Sequence, residues 1–234
     1  MAQKFSNRYI FVFASIMVIV VALILSLLAT LLQPIQDRNM RLEKMQNILA
    51  SINIEVERQK SADVFSDYII QTKILNHEGE EIEGDAFEVD LQEEIRKDLT
   101  ERQMPLYIAE VEGETYYILP LRGAGLWGPI WGYVSLKSDF NTIGGADFDH
   151  ATETPGLGSQ IAERDFQDQF KGKKIYDQEG NYRSVAVVRD GADPDDPHEV
   201  DAISGGTMTS NGVSKMLYEG IRIYEPYFKK QQDL

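Results

Sequence analysis

The sequence contains no cysteine among its 234 residues. Disulfide bonds and cysteine-ligated iron–sulfur clusters are therefore excluded within this chain. Histidine is also scarce, with three residues at positions 77, 150 and 198. His150 and Glu153 could suggest a metal, but His77 and His198 lie far away in the sequence, and no metal-ligand spacing emerges from the three positions. We therefore predict no metal site.

Basic residues are few relative to acidic ones, 23 against 38, which gives a formal net charge of −15. Two of the basic residues, Lys4 and Arg8, precede residue 33, and no acidic residue lies in that stretch. The rest of the chain is therefore strongly acidic. Such a surface repels nucleic acids and anionic lipid headgroups, so we expect neither as a partner.

Charged residues are missing altogether from residues 9–32, which are mostly Ile, Val, Leu and Phe. At about 1.5 Å per residue, a helix of this length crosses a hydrocarbon layer of about 30 Å. We interpret it as one transmembrane helix. A cleaved signal peptide is the alternative, but its apolar region is usually only about 7–15 residues long. Basic residues flank the run on both sides, so charge bias does not decide its orientation.

Residues for hydrolysis are lacking as well. Ser204 has no nearby histidine base and no nucleophile elbow, so we predict no catalytic residue. Gly123, Gly125 and Gly128 have the spacing of a dinucleotide-binding fingerprint. That fingerprint requires a following helix, whereas the residues after Gly128 indicate a turn and then a strand. We therefore expect no NADH site on this chain.

The remaining pattern predicts an α+β fold, a twisted and mostly antiparallel sheet with covering helices. Pro34 is expected to end or kink the membrane helix, and helical apolar spacing then continues to residue 52. We divide the chain into an anchor (1–33), an amphipathic connecting helix (34–60) and an extracytoplasmic domain (61–234). Further expectations are strands at 68–75, 105–111, 115–121 and 131–137, charged helices at 90–99 and 161–170, and a long irregular loop at 141–158.

A hydroxyl-rich turn precedes the last long helix. Apolar residues at helical spacing run from Val213 to Tyr224, and Pro226 is expected to end the helix. Ser210 and Asn211 are capping residue types, which places the helix start within two residues of Thr209. Gly205 and Gly206 lack the Cβ atoms that would keep a ligand away, and helix N-termini bind phosphate. From spacing alone, a simply capped loop is the more ordinary interpretation.

Three stretches resemble one family. Asp201, Ser204, Gly205 and Thr207 are spaced as in the acceptor motif of flavin transferases, although Gly206 stands where that motif usually has alanine. The glycine and tryptophan run at 119–133 and the run Glu-Thr-Pro-Gly-Leu-Gly at 153–158 accompany it. Together they resemble the NqrC family, the flavin-bearing subunits of the sodium-pumping NADH:quinone reductase, within the FMN-binding domain family.

This resemblance implies a site. FMN would be attached through a phosphoester bond to Thr207, in a motif that begins at Asp201. Apolar walls would come from Leu126, Trp127 and Leu157. Polar contacts and lining would come from Glu153, Thr154 and Gly158, with Gly205 and Gly206 in the turn. The phosphate would be bound by Lys173, Ser204, Thr209 and the helix N-terminus.

The resemblance also implies partners and a location. The chain would be a single-pass protein of the bacterial inner membrane, with a cytoplasmic N-terminus and a periplasmic domain. It would take electrons from an iron–sulfur centre in a membrane subunit and pass them to a second covalent flavin in another subunit of a sodium-translocating NADH:quinone reductase. A flavin transferase would act during maturation.

Two other functions remain open at this point. One is the flavin subunit of the related ferredoxin:NAD reductase complex, or a free-standing extracytoplasmic flavoprotein. The other is a membrane-anchored assembly or binding subunit without a cofactor, in which the threonine turn serves only as a helix cap.

Overall fold

A computed structural model describes residues 6–232. Lys4, one of the two basic residues before the apolar run, lies outside this range. The chain divides into two compact units, Met1–Leu42 and Glu43–Leu234. The second unit contains all the strands described below.

Helix α1 spans Asn7–Ala50 and contains Pro34. Within the described residues it is the one helix long and apolar enough to cross a membrane by length and composition, and its most apolar window is exposed. The helix does not end at Pro34, one of the two outcomes expected there, because it continues through the proline to Ala50. Proline removes one backbone hydrogen bond, and long apolar helices tolerate this loss.

A six-stranded antiparallel sheet forms the centre of the second unit, in the order β2-β1-β3-β4-β5-β6. This confirms the predicted fold class. The strands are β1 (Ile69–Leu75), β2 (Glu81–Ile82), β3 (Met104–Val111), β4 (Glu114–Ala124), β5 (Pro129–Lys137) and β6 (Ile143–His150). A separate parallel pair consists of β7 (Ala186–Val188) and β8 (Glu199–Asp201).

Strand β6 corrects one prediction, since residues 141–158 were expected to be an irregular loop. Its glycines and acids hide the strand pattern, but close packing explains them. A Cβ atom on Gly145 would lie 2.6 Å from the Ser51 carbonyl oxygen. The Ser135 hydroxyl donates to that same oxygen at 2.6 Å. Glycine therefore permits a backbone contact that no pattern within residues 141–158 reveals.

The helices cover both faces of the sheet. On one face, α5 (Thr207–Arg222) and α6 (Glu225–Gln232) bury Val213, Leu217 and Phe228 against the strands. On the other face, the end of α1 and α2 (Ser61–Tyr68) pack on Tyr107 and Ile118. Full burial of such a side chain contributes about 1.5–3 kcal/mol, so the two clusters hold the layers together.

The remaining helices are shorter than expected. The charged stretch at 90–99 is α-helical only at α3 (Leu91–Glu94), which Asp90 caps by accepting from the Gln92 amide at 2.7 Å. The stretch at 161–170 contains α4 (Arg164–Gln167) between short 3-10 turns. Pro226 lies in the first turn of α6 and not at the end of α5, which ends at Arg222. Proline is well tolerated in a first helical turn.

Helix α5 lies very close to β4, and glycines make the contact possible. A Cβ atom on Gly212 would lie 2.3 Å from the Ala124 carbonyl oxygen at the end of β4. Further along the helix, a Cβ atom on Gly220 would lie 2.8 Å from Leu121 Cδ2. The first obstacle is backbone, whereas the second is the end of a flexible side chain. The position of α5 is therefore fixed most tightly at Gly212.

We predict that Gly212→Ala lowers the free energy of unfolding by about 2 kcal/mol, because the new methyl group must push the helix away from β4. Gly220→Ala is the matched control in the same helix. There Leu121 can move, and alanine gains about 1 kcal/mol of helix propensity over glycine, so we expect little net change. Chemical denaturation of both variants checks the prediction, and equal losses would contradict it.

Candidate functional site

Strand β8 leads into a tight turn that ends where α5 begins. The Gly206 amide donates to the Ile203 carbonyl oxygen at 2.9 Å, and Gly205 between them has a φ of +73°. A positive φ at the third residue is what a type II turn requires, and glycine adopts it without strain. Gly206 occupies the N-cap position, so α5 starts at Thr207.

The expected helix start within two residues of Thr209 is confirmed, but the expected capping residues are wrong. Ser210 and Asn211 lie inside α5. The Ser210 hydroxyl accepts from the Ile203 amide at 3.2 Å. This hydrogen bond links the first turn of α5 to the first residue of the preceding tight turn. Glycine at the N-cap position has no side chain to accept from the first amides of the helix. Those amides therefore face outward with the positive end of the helix dipole.

A small cavity of about 110 Å³ lies at this helix N-terminus. Three segments far apart in the sequence form it: the β4–β5 tip (residues 125–128), the 153–158 loop and the turn before α5. Its lining residues are Leu126, Glu153, Thr154, Leu157, Gly158, Gly205, Gly206, Thr207, Met208 and Thr209. Only Met208 was absent from the predicted set. It falls on no motif position, and its place in the first turn of α5 was the one available signal.

The other predicted site residues do not line the cavity. Trp127 is on the β4–β5 tip beside the cavity and is 67% exposed. Asp201 and Ser204 line a separate groove of about 490 Å³. The Asp201 carboxylate accepts from the Ala192 amide at 2.7 Å. Lys173 donates through Nζ to the Asp196 carbonyl oxygen at 3.0 Å and does not line the cavity.

The hydroxyl groups near the turn differ in their availability. Those of Thr209 and Ser210 are buried, and the Thr209 hydroxyl donates to Glu153 Oε2 at 2.6 Å. Ser204 is exposed on the other groove. Thr207 is half-buried and lines the cavity as the first residue of α5. Thr207 is therefore the hydroxyl-bearing residue of the first turn of α5 that lines the cavity without being buried.

Glu153 lies behind the cavity, with 5% of its surface exposed. Its Oε1 accepts from the Trp127 amide at 2.9 Å, and its Oε2 accepts from the Thr209 hydroxyl. Burial raises the pKa of this carboxyl. The hydrogen bonds from Thr209 and from the amides of Trp127 and Leu126 outweigh burial and lower the pKa below its usual value. Glu153 is therefore ionised at neutral pH.

An apolar rim surrounds the mouth of the cavity, and we define it as Leu126, Trp127, Leu157 and Met208. All four residues are exposed by at least 41%. The cavity is smaller than the roughly 300–1,000 Å³ of pockets that enclose a drug-sized ligand. An FMN would thus extend from the helix N-terminus, which suits its phosphate, across a rim that suits its flat ring. The residues at the helix N-terminus and on the apolar rim therefore fit FMN.

The glycine run at 123–128 forms the tip of a hairpin. Gly125 donates through its amide to the Gly128 carbonyl oxygen at 2.8 Å, which closes the hairpin between β4 and β5. The chain then continues as β5, which pairs with β4 starting from Pro129 opposite Ala124. The third glycine leads into no helix, as the sequence indicated.

A second groove of about 680 Å³ is lined by many charged residues, including Asp147, Asp149 and Arg164. Asp147 lies on β6 opposite Tyr133. Burial raises the pKa of Asp147 to about 7, a rise that Arg164 opposes and Asp149 supports. This carboxyl therefore titrates near neutral pH.

Comparison with known proteins gives a consistent result. The FMN-binding domain family matches residues 125–222, a range that contains every residue lining the cavity. The NqrC subunit of the Na(+)-translocating NADH-quinone reductase of Vibrio alginolyticus is 31% identical over 236 residues, which cover 92% of this chain and 91% of that protein. The same subunit of Haemophilus ducreyi is 30% identical, with 91% and 89% covered.

Two solved structures show the same similarity. The crystal structure of the corresponding reductase subunit from Parabacteroides distasonis matches with a TM-score of 0.78 and 44% identity. The match covers 84% of this chain and 96% of that one. Shewanella oneidensis NqrC matches with a TM-score of 0.69 and 25% identity, with 82% and 98% covered.

We predict that Asp147→Asn stabilises the protein more at pH 8 than at pH 5, by about 1–2 kcal/mol. The native pKa of Asp147 lies above the value of 3.8 for the unfolded chain. The folded state therefore binds more protons between these values, and stability falls as pH rises from about 4 to 7. Asparagine cannot ionise and escapes this loss. Thermal unfolding of variant and parent at both pH values checks this prediction, with the exposed Asp190→Asn as the control. A difference in stability between Asp147→Asn and the parent that does not change with pH would contradict the prediction.

Proposed function

The chain belongs to the NqrC family of Na(+)-translocating NADH-quinone reductase subunits, and from this membership we propose that it is the covalent-flavin, electron-carrying subunit of such a reductase. FMN is esterified to Thr207 and relays electrons within a bacterial membrane complex. The position of Thr207, which lines a cavity as the first residue of α5, is the observation that carries this proposal.

The turn before α5 supports a phosphoester at this position. A phosphate on Thr207 would lie at the first amides of the helix and at the positive end of its dipole, where anions are stabilised. Gly206 leaves those amides without a competing side-chain cap. Lys173 is held by the Asp196 carbonyl oxygen, so the helix contributes more to this phosphate site than Lys173 does.

The apolar rim supports a flat ring beside that phosphate. Leu126 and Leu157 line the cavity from opposite segments, while Trp127 and Met208 extend the apolar surface outward. When bound, FMN supplies reversible electron transfer. The protein supplies attachment, orientation and a fixed electrostatic environment.

The long apolar helix supports a membrane location, with the flavin domain on the periplasmic side and the N-terminus in the cytoplasm. An iron–sulfur subunit delivers electrons, and a second covalent-flavin subunit accepts them. Sodium translocation is a property of the assembled complex. A flavin transferase attaches the cofactor during maturation and recognises the segment that begins at Asp201. Asp201 is exposed, as recognition by another protein requires.

We predict that the full-length chain, coexpressed with a flavin transferase, carries one FMN through an ester at Thr207. Its mass then exceeds that of the polypeptide by one FMN less one water, and flavin fluorescence persists on a denaturing gel. Thr207→Ala removes both signals, because no oxygen remains to form the ester. Intact-mass measurement and in-gel fluorescence provide the readouts.

Thr154→Ala is the matched control, since Thr154 also lines the cavity but lies in the 153–158 loop and not at the helix N-terminus. This variant should keep the flavin. A native chain of unmodified mass would overturn the proposal in favour of a subunit without covalent flavin. Copurification with ferredoxin:NAD reductase subunits would assign the chain to that related complex instead.

A further inference from the structure

Glu153 joins two parts of the cavity that are otherwise separate in the fold. Its Oε1 accepts from the Trp127 amide on the β4–β5 tip at 2.9 Å. Its Oε2 accepts from the Thr209 hydroxyl in the first turn of α5 at 2.6 Å. One buried side chain thus binds the strand tip and the helix from behind the cavity. The family motif implies a polar contact between Glu153 and the flavin, and it does not indicate this link.

The partners explain why a carboxylate stands here. Both amides at the tip, those of Leu126 and Trp127, are donors that cannot accept. The Thr209 hydroxyl donates as well. An ionised carboxylate accepts from all of them, and such charge-assisted hydrogen bonds are stronger than neutral ones.

Two glycines pack directly against this carboxylate. A Cβ atom on Gly125 would lie 2.4 Å from Glu153 Oε1, and one on Gly158 would lie 2.4 Å from Oε2 and 2.5 Å from Thr209 Oγ1. The carboxylate is therefore enclosed on both sides. Its position is set by packing as well as by hydrogen bonds.

We propose that Glu153 is a positioning residue that clamps the β4–β5 tip to the first turn of α5, and that it thereby fixes the apolar rim and keeps a permanent negative charge behind the cavity. The clamp acts on Leu126 and Trp127 through their backbone. The charge acts on whatever redox group the cavity holds, and this second effect rests on the proposed function.

The clamp is tested first, on chains without flavin. All variants carry Thr207→Ala to prevent attachment and Trp131→Phe to leave Trp127 as the single tryptophan. Time-resolved fluorescence anisotropy of the full-length chain in detergent then reports the local motion of the tip. Glu153→Ala should shorten the local correlation time of Trp127, because the tip loses its link to the helix.

Glu153→Gln separates the clamp from the charge. The glutamine oxygen can still accept from the Trp127 amide, and its NH₂ group can donate to the Thr209 hydroxyl, which then turns to accept. The anisotropy decay should therefore stay close to that of the parent. Thr209→Val removes one arm of the clamp, keeps the charge, and should give an intermediate decay.

The charge is tested on flavin-loaded chains that retain Thr207, by redox titration of the flavin. A nearby fixed negative charge opposes the addition of electrons, so Glu153→Gln should shift the midpoint potential to a more positive value. Asp190→Asn removes an exposed carboxylate that does not line the cavity, and it should leave the potential close to that of the parent. In Glu153→Gln we expect a shifted midpoint potential together with an unchanged anisotropy decay. A role of Glu153 in packing alone would not produce this combination.

The anisotropy measurement and the redox titration test the two parts of the proposal separately. An unchanged anisotropy decay in Glu153→Ala, with circular dichroism showing a folded chain, would overturn the clamp. If Glu153→Ala does not fold, the Thr209→Val decay decides the same point. An unchanged potential in Glu153→Gln would overturn the role of the charge. If no variant and no parent chain takes up flavin, the proposed function fails, while the anisotropy measurement still decides the clamp.

Discussion

The close contact between α5 and the end of β4 is the constraint on which the site depends. Gly212 brings the helix against the Ala124 carbonyl oxygen, one residue before the β4–β5 tip begins. That contact sets the distance between the tip and the first turn of the helix, and the cavity is the gap between them. A wider separation would prevent one Glu153 side chain from reaching both Trp127 and Thr209. Helix packing in the core thus determines the geometry of a surface site.

Much of the fold could be predicted because local patterns carry it. The β3–β4 hairpin and the apolar stripe of α5 follow from periodicities of 2 and 3.6 residues within each element. The cavity is different, because residues 126, 153 and 207 come from three separate segments. No periodicity relates them, and only their resemblance to family motifs placed them in one site.

Contacts outside the local element decide where several side chains and strands lie. Strand β6 was missed because Gly145 packs against the Ser51 carbonyl oxygen and its residue type reflects that contact. Ser210 has the residue type of a cap, yet its hydroxyl binds the Ile203 amide from inside the helix. Lys173 suits a phosphate by charge, but Asp196 holds it elsewhere. Each side chain has several possible partners in the sequence, and tertiary packing selects one.

The shallow cavity and the proposed covalent bond explain each other. A pocket that retains its cofactor by burial must enclose most of it, as larger ligand pockets do. A cavity of about 110 Å³ with an exposed apolar rim encloses only a small part of a nucleotide. The proposed ester at Thr207 would prevent dissociation without further burial. The ring would then remain accessible at the surface, within a short distance of the other subunits. An electron carrier between two partners needs this combination, since enclosure would retain the cofactor at the cost of access to it.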